Sequence, residues 1–133
     1  MPYTEFDDPS PIAGSEQFKE ALRAVRDKVP DMIPFAKMLR AHCQAPRHTI
    51  TASKLAEEVG YPNYSSANMQ YGILAHHVAD VLHYAPKPVK SGERHWWRTL
   101  AYGNEEMLHN ENGHYEWIMR PELVQALQEL NWA

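Results

Sequence analysis

The chain has 133 residues, a single cysteine and a formal net charge of −4, with a pI near 6.0. That length suits one domain able to bury roughly two thirds of the surface its unfolded form exposes, and the lone Cys43 excludes an internal disulfide framework. The acidic balance argues against a general polyanion binder, and the polar start lacks a signal-peptide core. No apolar run approaches the roughly 20 residues of a membrane helix, so a cytoplasmic protein with no membrane partner is expected.

Residues 1–14, MPYTEFDDPSPIAG, hold three prolines and three acids and read as a flexible leader before a single domain over 15–133. Tyr3 and Phe6 are apolar groups in it that can still dock. Ser15 offers an N-cap, and Phe18, Leu22, Val25 and Val29 recur at helical spacing, so a first helix is predicted. Pro30 stops it. Asp31 can cap a second helix, Pro34 falls in its opening turn, and Ile33, Phe35, Met38, Leu39 and His42 give its inner face.

In TITASKLAEEVG, Thr51 caps a short helix that Gly60 ends, with Leu55, Ala56 and Val59 on its buried side. The corner YPNYSS follows, with Ser65 or Ser66 as the next cap. A long helix then runs to about His83, carrying Tyr71, Leu74, Val78 and Leu82 as an apolar stripe with Ile73 and Val81 beside it. Prolines, a glycine and lysines mark HYAPKPVKSGE as a loop. RHWWRTLAYG and GHYEWIMR are rich in strand-forming aromatic and branched residues and predict an antiparallel hairpin around the acidic tip NEEMLHNEN. Trp96 and Trp97 would then fall on opposite faces of a strand. Pro121 opens a last helix with Leu123, Val124, Leu127 and Leu130 on one side.

The expected fold is therefore mainly α with a small antiparallel β-hairpin, in the order of a winged helix-turn-helix. In that arrangement the helix after the corner is the reader and the hairpin the wing. ANMQYGILA at 67–75, preceded by TASKLAEEVGY and followed near the end by W-x-MRPELVQALQELNW, resembles a recurrent domain of bacterial HNH-type endonucleases and restriction-associated proteins. The resemblance spans about residues 15 to 133 and implies an accessory DNA-recognition domain, not one that cleaves. HNENGH at 109–114 spells such a nuclease only superficially, because that active site spreads over a hairpin and a following helix. KLAEEVGYPNYSSANMQYG is similar to the DNA-binding half of alkylguanine transferases, but their reactive Pro-Cys-His-Arg is absent.

Residue chemistry suggests which groups would touch DNA. Asn68 and Gln70 carry paired donors and acceptors suited to base edges, and Ser65 and Ser66 sit where a helix N-terminus can hold a phosphate. Lys54, Lys87, Lys90, Arg94 and Arg98 supply phosphate contacts, the stretch from Lys87 to Arg98 having four basic residues against Glu93 alone. The carboxylates Glu105, Glu106 and Glu111 keep the hairpin tip off a phosphate backbone. Small residues on the long helix opposite the core, Asn68, Gly72, Ala75 or His76, and Ala79, either admit a DNA backbone or pack against another helix.

The eight histidines lack a CxxC, HExxH or comparable ligand spacing, so no metal or other cofactor is expected. Cys43 reads as a small core residue, and no complete catalytic constellation appears. The function expected is a non-catalytic DNA-recognition module linked to restriction or phage defence. The alternative is a protein-binding adaptor or inhibitor with an acidic surface, and the two differ in whether basic or apolar groups gather around Asn68 and Ser65.

Overall fold

The computed structural model describes residues 10–88, 92, 94–103 and 115–133. Five helices and three short strands follow in the order α1 (Ser15–Lys28), α2 (Ile33–Gln44), β1 (Thr49–Thr51), α3 (Ala52–Val59), α4 (Tyr64–Leu82), β2 (Ala101–Gly103), β3 (Glu116–Met119) and α5 (Pro121–Glu129). The molecule is mainly helical with a small three-stranded antiparallel sheet ordered β1-β3-β2. No helix among the described residues is long and apolar enough to cross a membrane. The hairpin tip from Asn104 to His114, and with it HNENGH and the three tip carboxylates, lies outside the described residues, as do Tyr3 and Phe6.

The helix boundaries follow local chemistry. Gln17 reaches back to the Gly14 amide at 2.8 Å, so the chain enters α1 through Gly14 where Ser15 was expected to cap it. Asp31 accepts from the Ile33 amide at 3.2 Å, and Pro34 stands in the first turn of α2, where a missing N–H costs nothing. The Thr51 hydroxyl caps α3 by accepting from the Lys54 amide at 3.1 Å. Gly60 ends α3 with φ of 86°, a left-handed conformation open to glycine at no steric cost. Asn63, not Ser65 or Ser66, caps α4: its carboxamide oxygen accepts from the Ser66 amide at 2.9 Å and from the Ser66 hydroxyl at 3.1 Å.

The core gathers Phe18, Leu22 and Val25 of α1, Met38 and Leu39 of α2, Leu55 of α3, Tyr71, Leu74 and Val78 of α4, and Leu123 and Leu127 of α5, all fully buried. α4 packs on α1, α2 and α3, and α5 closes the other side of α1. The sequence expectation for the stripe on α4 is met at Tyr71, Leu74 and Val78, whereas Ile73 is 42% exposed.

Two expectations are corrected. The segment Trp96–Thr99 is a 3₁₀ turn packed on α4 and not the first strand of the hairpin, which begins only at Ala101. Trp96 and Trp97 therefore do not alternate across a strand. Trp96 stacks on His76 with ring centroids 3.7 Å apart and planes 8° off parallel, while Trp97 meets Tyr115 at 5.6 Å and Trp117 at 6.3 Å. Packing against α4 overrides the strand preference of aromatic residues. The second correction is β1, where Ile50 opposes Trp117 in register and adds a third strand to the two expected.

The segment before α1 is joined to this body at its C-terminal end. Ala13 is buried, Ile12 packs against the core, and the Ser10 carbonyl accepts from Arg120 at 2.9 Å. Arg120 is 2% exposed, and its guanidinium also donates to the Arg98 carbonyl at 2.9 and 2.7 Å.

Candidate nucleic-acid interface

α4 turns one face to solvent. Ser65, Met69, Ile73, His76 and Asp80 are exposed along it at steps of three or four residues, with Asn68 exposed beside Met69 and Gly72 half-buried among them. No lysine or arginine lies on the helix. Asn68 makes no side-chain hydrogen bond with any described residue, so its carboxamide faces outward and does not cap α4. Gln70 is half-buried two residues on, about 200° around the helix from Asn68. The two amides expected to read bases together do not share a face.

The small residues divide between the two roles the sequence leaves open. Ala75 and Ala79 are fully buried and belong to helix packing. Gly72 is different: a Cβ built there meets nothing within 4 Å, so no neighbour in the fold requires a glycine. Gly72→Ala is expected to raise stability by about 0.5–1 kcal/mol, the helix-interior penalty of glycine, readable as a higher midpoint in urea unfolding. A lower midpoint would mean that the fold itself needs Gly72.

The basic residues are unequally placed. Lys54 is exposed on α3 but reaches Glu58 at 3.2 Å and Glu57 at 4.0 Å, so its charge is shared with two carboxylates one helical turn away. Lys87 and Arg94 are exposed, and the Arg94 guanidinium donates to the Pro86 carbonyl. Arg98 is half-buried in the turn beneath, its carbonyl held by Arg120. Lys90 lies outside the described residues. Trp96 of this connection stacks on His76 of α4, and the Asp80 carboxylate lies 3.6 Å from His76 Nε2.

At the N-terminus of α4, Asn63 already satisfies the Ser66 amide and engages the Ser66 hydroxyl. A phosphate would compete with that side chain. Ser65 alone of the pair keeps an exposed hydroxyl.

The histidines near Cys43 are spoken for. His42 is fully buried between the Tyr71 hydroxyl, 2.6 Å from Nδ1, and the Trp117 carbonyl, 2.9 Å from Nε2. His48 Nδ1 donates to the Cys43 carbonyl at 2.6 Å, and burial pushes the Cys43 thiol up from its ordinary pKa. Among the described residues no three His, Cys, Asp or Glu side chains stand together in a way that would hold a metal. The His42–Tyr71 pair was invisible in the sequence, since its members sit on different helices, though both positions fall on predicted inner faces.

Compared with known proteins, the chain matches no family model, no curated protein and no solved structure.

Proposed function

We propose that the chain is a non-catalytic, winged-helix-like DNA-recognition module in which the outward face of α4 reads the duplex. The observation that carries this reading is the run Ser65, Asn68 and Gly72 on the N-terminal half of the outward face, which bears no charged side chain, together with a connection that exposes Lys87 and Arg94 and whose Trp96 stacks on His76 of the same helix. Amide and hydroxyl groups suit base edges, cations suit phosphates, and a glycine that the fold does not require leaves room for a close backbone. The succession α2, β1, α3, α4, β2, β3, with β3 in the centre of the sheet, supports a winged arrangement. The resemblance of ANMQYGILA and MRPELVQALQELNW to domains of restriction-associated proteins points the same way and suggests a role in restriction or phage defence.

A specific observation favours a second reading. Met69 is 58% exposed and Ile73 42% exposed one turn apart, and Lys54 is tied to Glu57 and Glu58, so part of the α3–α4 surface is apolar and acidic. Such a face suits a protein partner.

A salt-dependent titration with duplex, single-stranded and modified DNA separates the two. Asn68→Ala is expected to weaken binding to a preferred sequence by roughly 1–3 kcal/mol and to relax preference at one position. Arg94→Ala is expected to weaken all sequences alike and to make the salt slope shallower by about 1. Lys54→Ala, which frees two carboxylates of their partner, should change the slope less than Arg94→Ala. A folded parent that binds no DNA at low salt, where phosphate attraction is strongest, would leave the protein-partner reading in its place.

A further inference from the structure

A cleft of about 300 Å³ opens between the sheet and α5, well separated in sequence from the face of α4. Ile118 and Val124 line its apolar part, Tyr102 offers a planar wall, and Gln125 and Gln128 present carboxamides one turn apart on α5. Arg47 is the one formally charged residue among the described residues that line it. Its volume is at the low end for small-molecule sites, which span roughly 300–1,000 Å³. That admits one ring system with a small head group.

The turn that delivers Arg47 is strained. Arg47 and His48 have φ of 56° and 57°, two successive non-glycine residues in the left-handed region. Three hydrogen bonds hold them there: His48 amide to Ala45 carbonyl at 2.8 Å, His48 Nδ1 to Cys43 carbonyl at 2.6 Å, and Thr49 hydroxyl to Arg47 carbonyl at 3.0 Å. His48 thus spends Nδ1–H on the Cys43 carbonyl while its ring lines the cleft. Gln125 spends a carboxamide N–H on Glu129 at 3.2 Å, which leaves its oxygen as an acceptor, while Gln128 supplies both kinds of group.

We infer that this cleft binds a single nucleotide, its base against Tyr102 and the two glutamines and its phosphate on Arg47. A planar wall over an apolar floor takes a heterocycle, adjacent donors and acceptors match a base edge, and one cation at the rim answers a phosphate. The same chemistry is offered by a free nucleotide or by an unpaired nucleotide within a strand.

The test is an amide NMR titration of the full chain with the four common 5′-mononucleotides, their nucleosides, inorganic phosphate and short single strands. At least one mononucleotide should shift the amides of Arg47, Tyr102 and Gln125 and bind roughly tenfold tighter than its nucleoside or phosphate alone. Arg47→Gly, which suits a left-handed backbone, should keep or raise the melting temperature while lowering that affinity roughly tenfold. A strand that binds tighter than its mononucleotide identifies the strand as the source, and equal affinity identifies the free nucleotide. The Asn68→Ala variant should titrate like the parent, so a failure of DNA reading by α4 leaves this result standing. No shifts at the cleft with millimolar mononucleotide, binding of phosphate as tight as nucleotide, or unchanged affinity in Arg47→Gly would each overturn the assignment.

Discussion

Leu74→Ala is expected to lower the unfolding free energy by about 2–5 kcal/mol, measured by urea denaturation. Leu74 is fully buried on α4, the helix that packs against α1, α2, α3 and the Trp96–Thr99 turn. Removing its branched end forfeits the transfer of those carbons out of water. It also leaves a cavity, because a helix held on several sides cannot move to close a gap on one of them. Ile73→Ala is the control: its neighbour in sequence is 42% exposed and should cost less than about 1 kcal/mol. Equal losses in the two variants would show that α4 does not present the face described.

The second large effect is acid sensitivity. The Trp117 carbonyl can only accept, so Nε2 of His42 carries the ring proton and Nδ1 accepts from the Tyr71 hydroxyl. Burial lowers the His42 pKa from 6.5 to about 4, and the hydrogen bond to the Trp117 carbonyl opposes that shift without cancelling it. A proton added at Nδ1 would oblige the Tyr71 hydroxyl to turn from donor to acceptor.

The unfolded chain thus binds this proton near pH 6.5 and the folded chain only near pH 4. Stability from this group is complete above pH 6.5 and is lost as pH falls from 6.5 toward 4, at about 1.4 kcal/mol per pH unit, or about 3 kcal/mol in all. Unfolding free energies at pH 7 and pH 4.5 should differ accordingly in the parent, and His42→Gln should remove much of that difference at a lower starting stability. An imidazole signal of His42 that titrates near pH 6.5 in the folded protein would contradict the buried neutral ring.

Much of the helical scaffold could be read from the chain because its signals are local. Thr51 and Gly60 bracket α3, Pro121 opens α5, and Tyr71, Leu74 and Val78 repeat at the period of a helix within one continuous segment. The misread pieces depend on distant partners. β1 has only Ile50 as an inward residue and becomes a strand through its pairing with Trp117. Trp96–Thr99 has strand-like composition but is shaped into a turn by His76 on α4.

The candidate interface shows the same division. Exposure of Asn68 followed from the stripe on α4, whereas Ala79, placed opposite the core with it, is buried. The tie between Lys54 and Glu58 was also present as a spacing of four residues, but a list of cations does not reveal how much of each charge is already answered. The αL turn at Arg47 and His48 has no glycine or asparagine to announce it.

The sheet order has a consequence for how the chain is made. β3, the central strand, is the last of the three to be synthesised, and β1 and β2 touch only through it. Until Trp117 has left the ribosome, Ile50 has no strand partner and His42 has no carbonyl for Nε2. The helical N-terminal part can gather early, yet its sheet and its buried imidazole are completed together in one late, long-range step. A nascent chain stalled before Glu116 would carry both an open strand edge and an unsatisfied histidine, which makes it a substrate for chaperones in a way the finished protein is not.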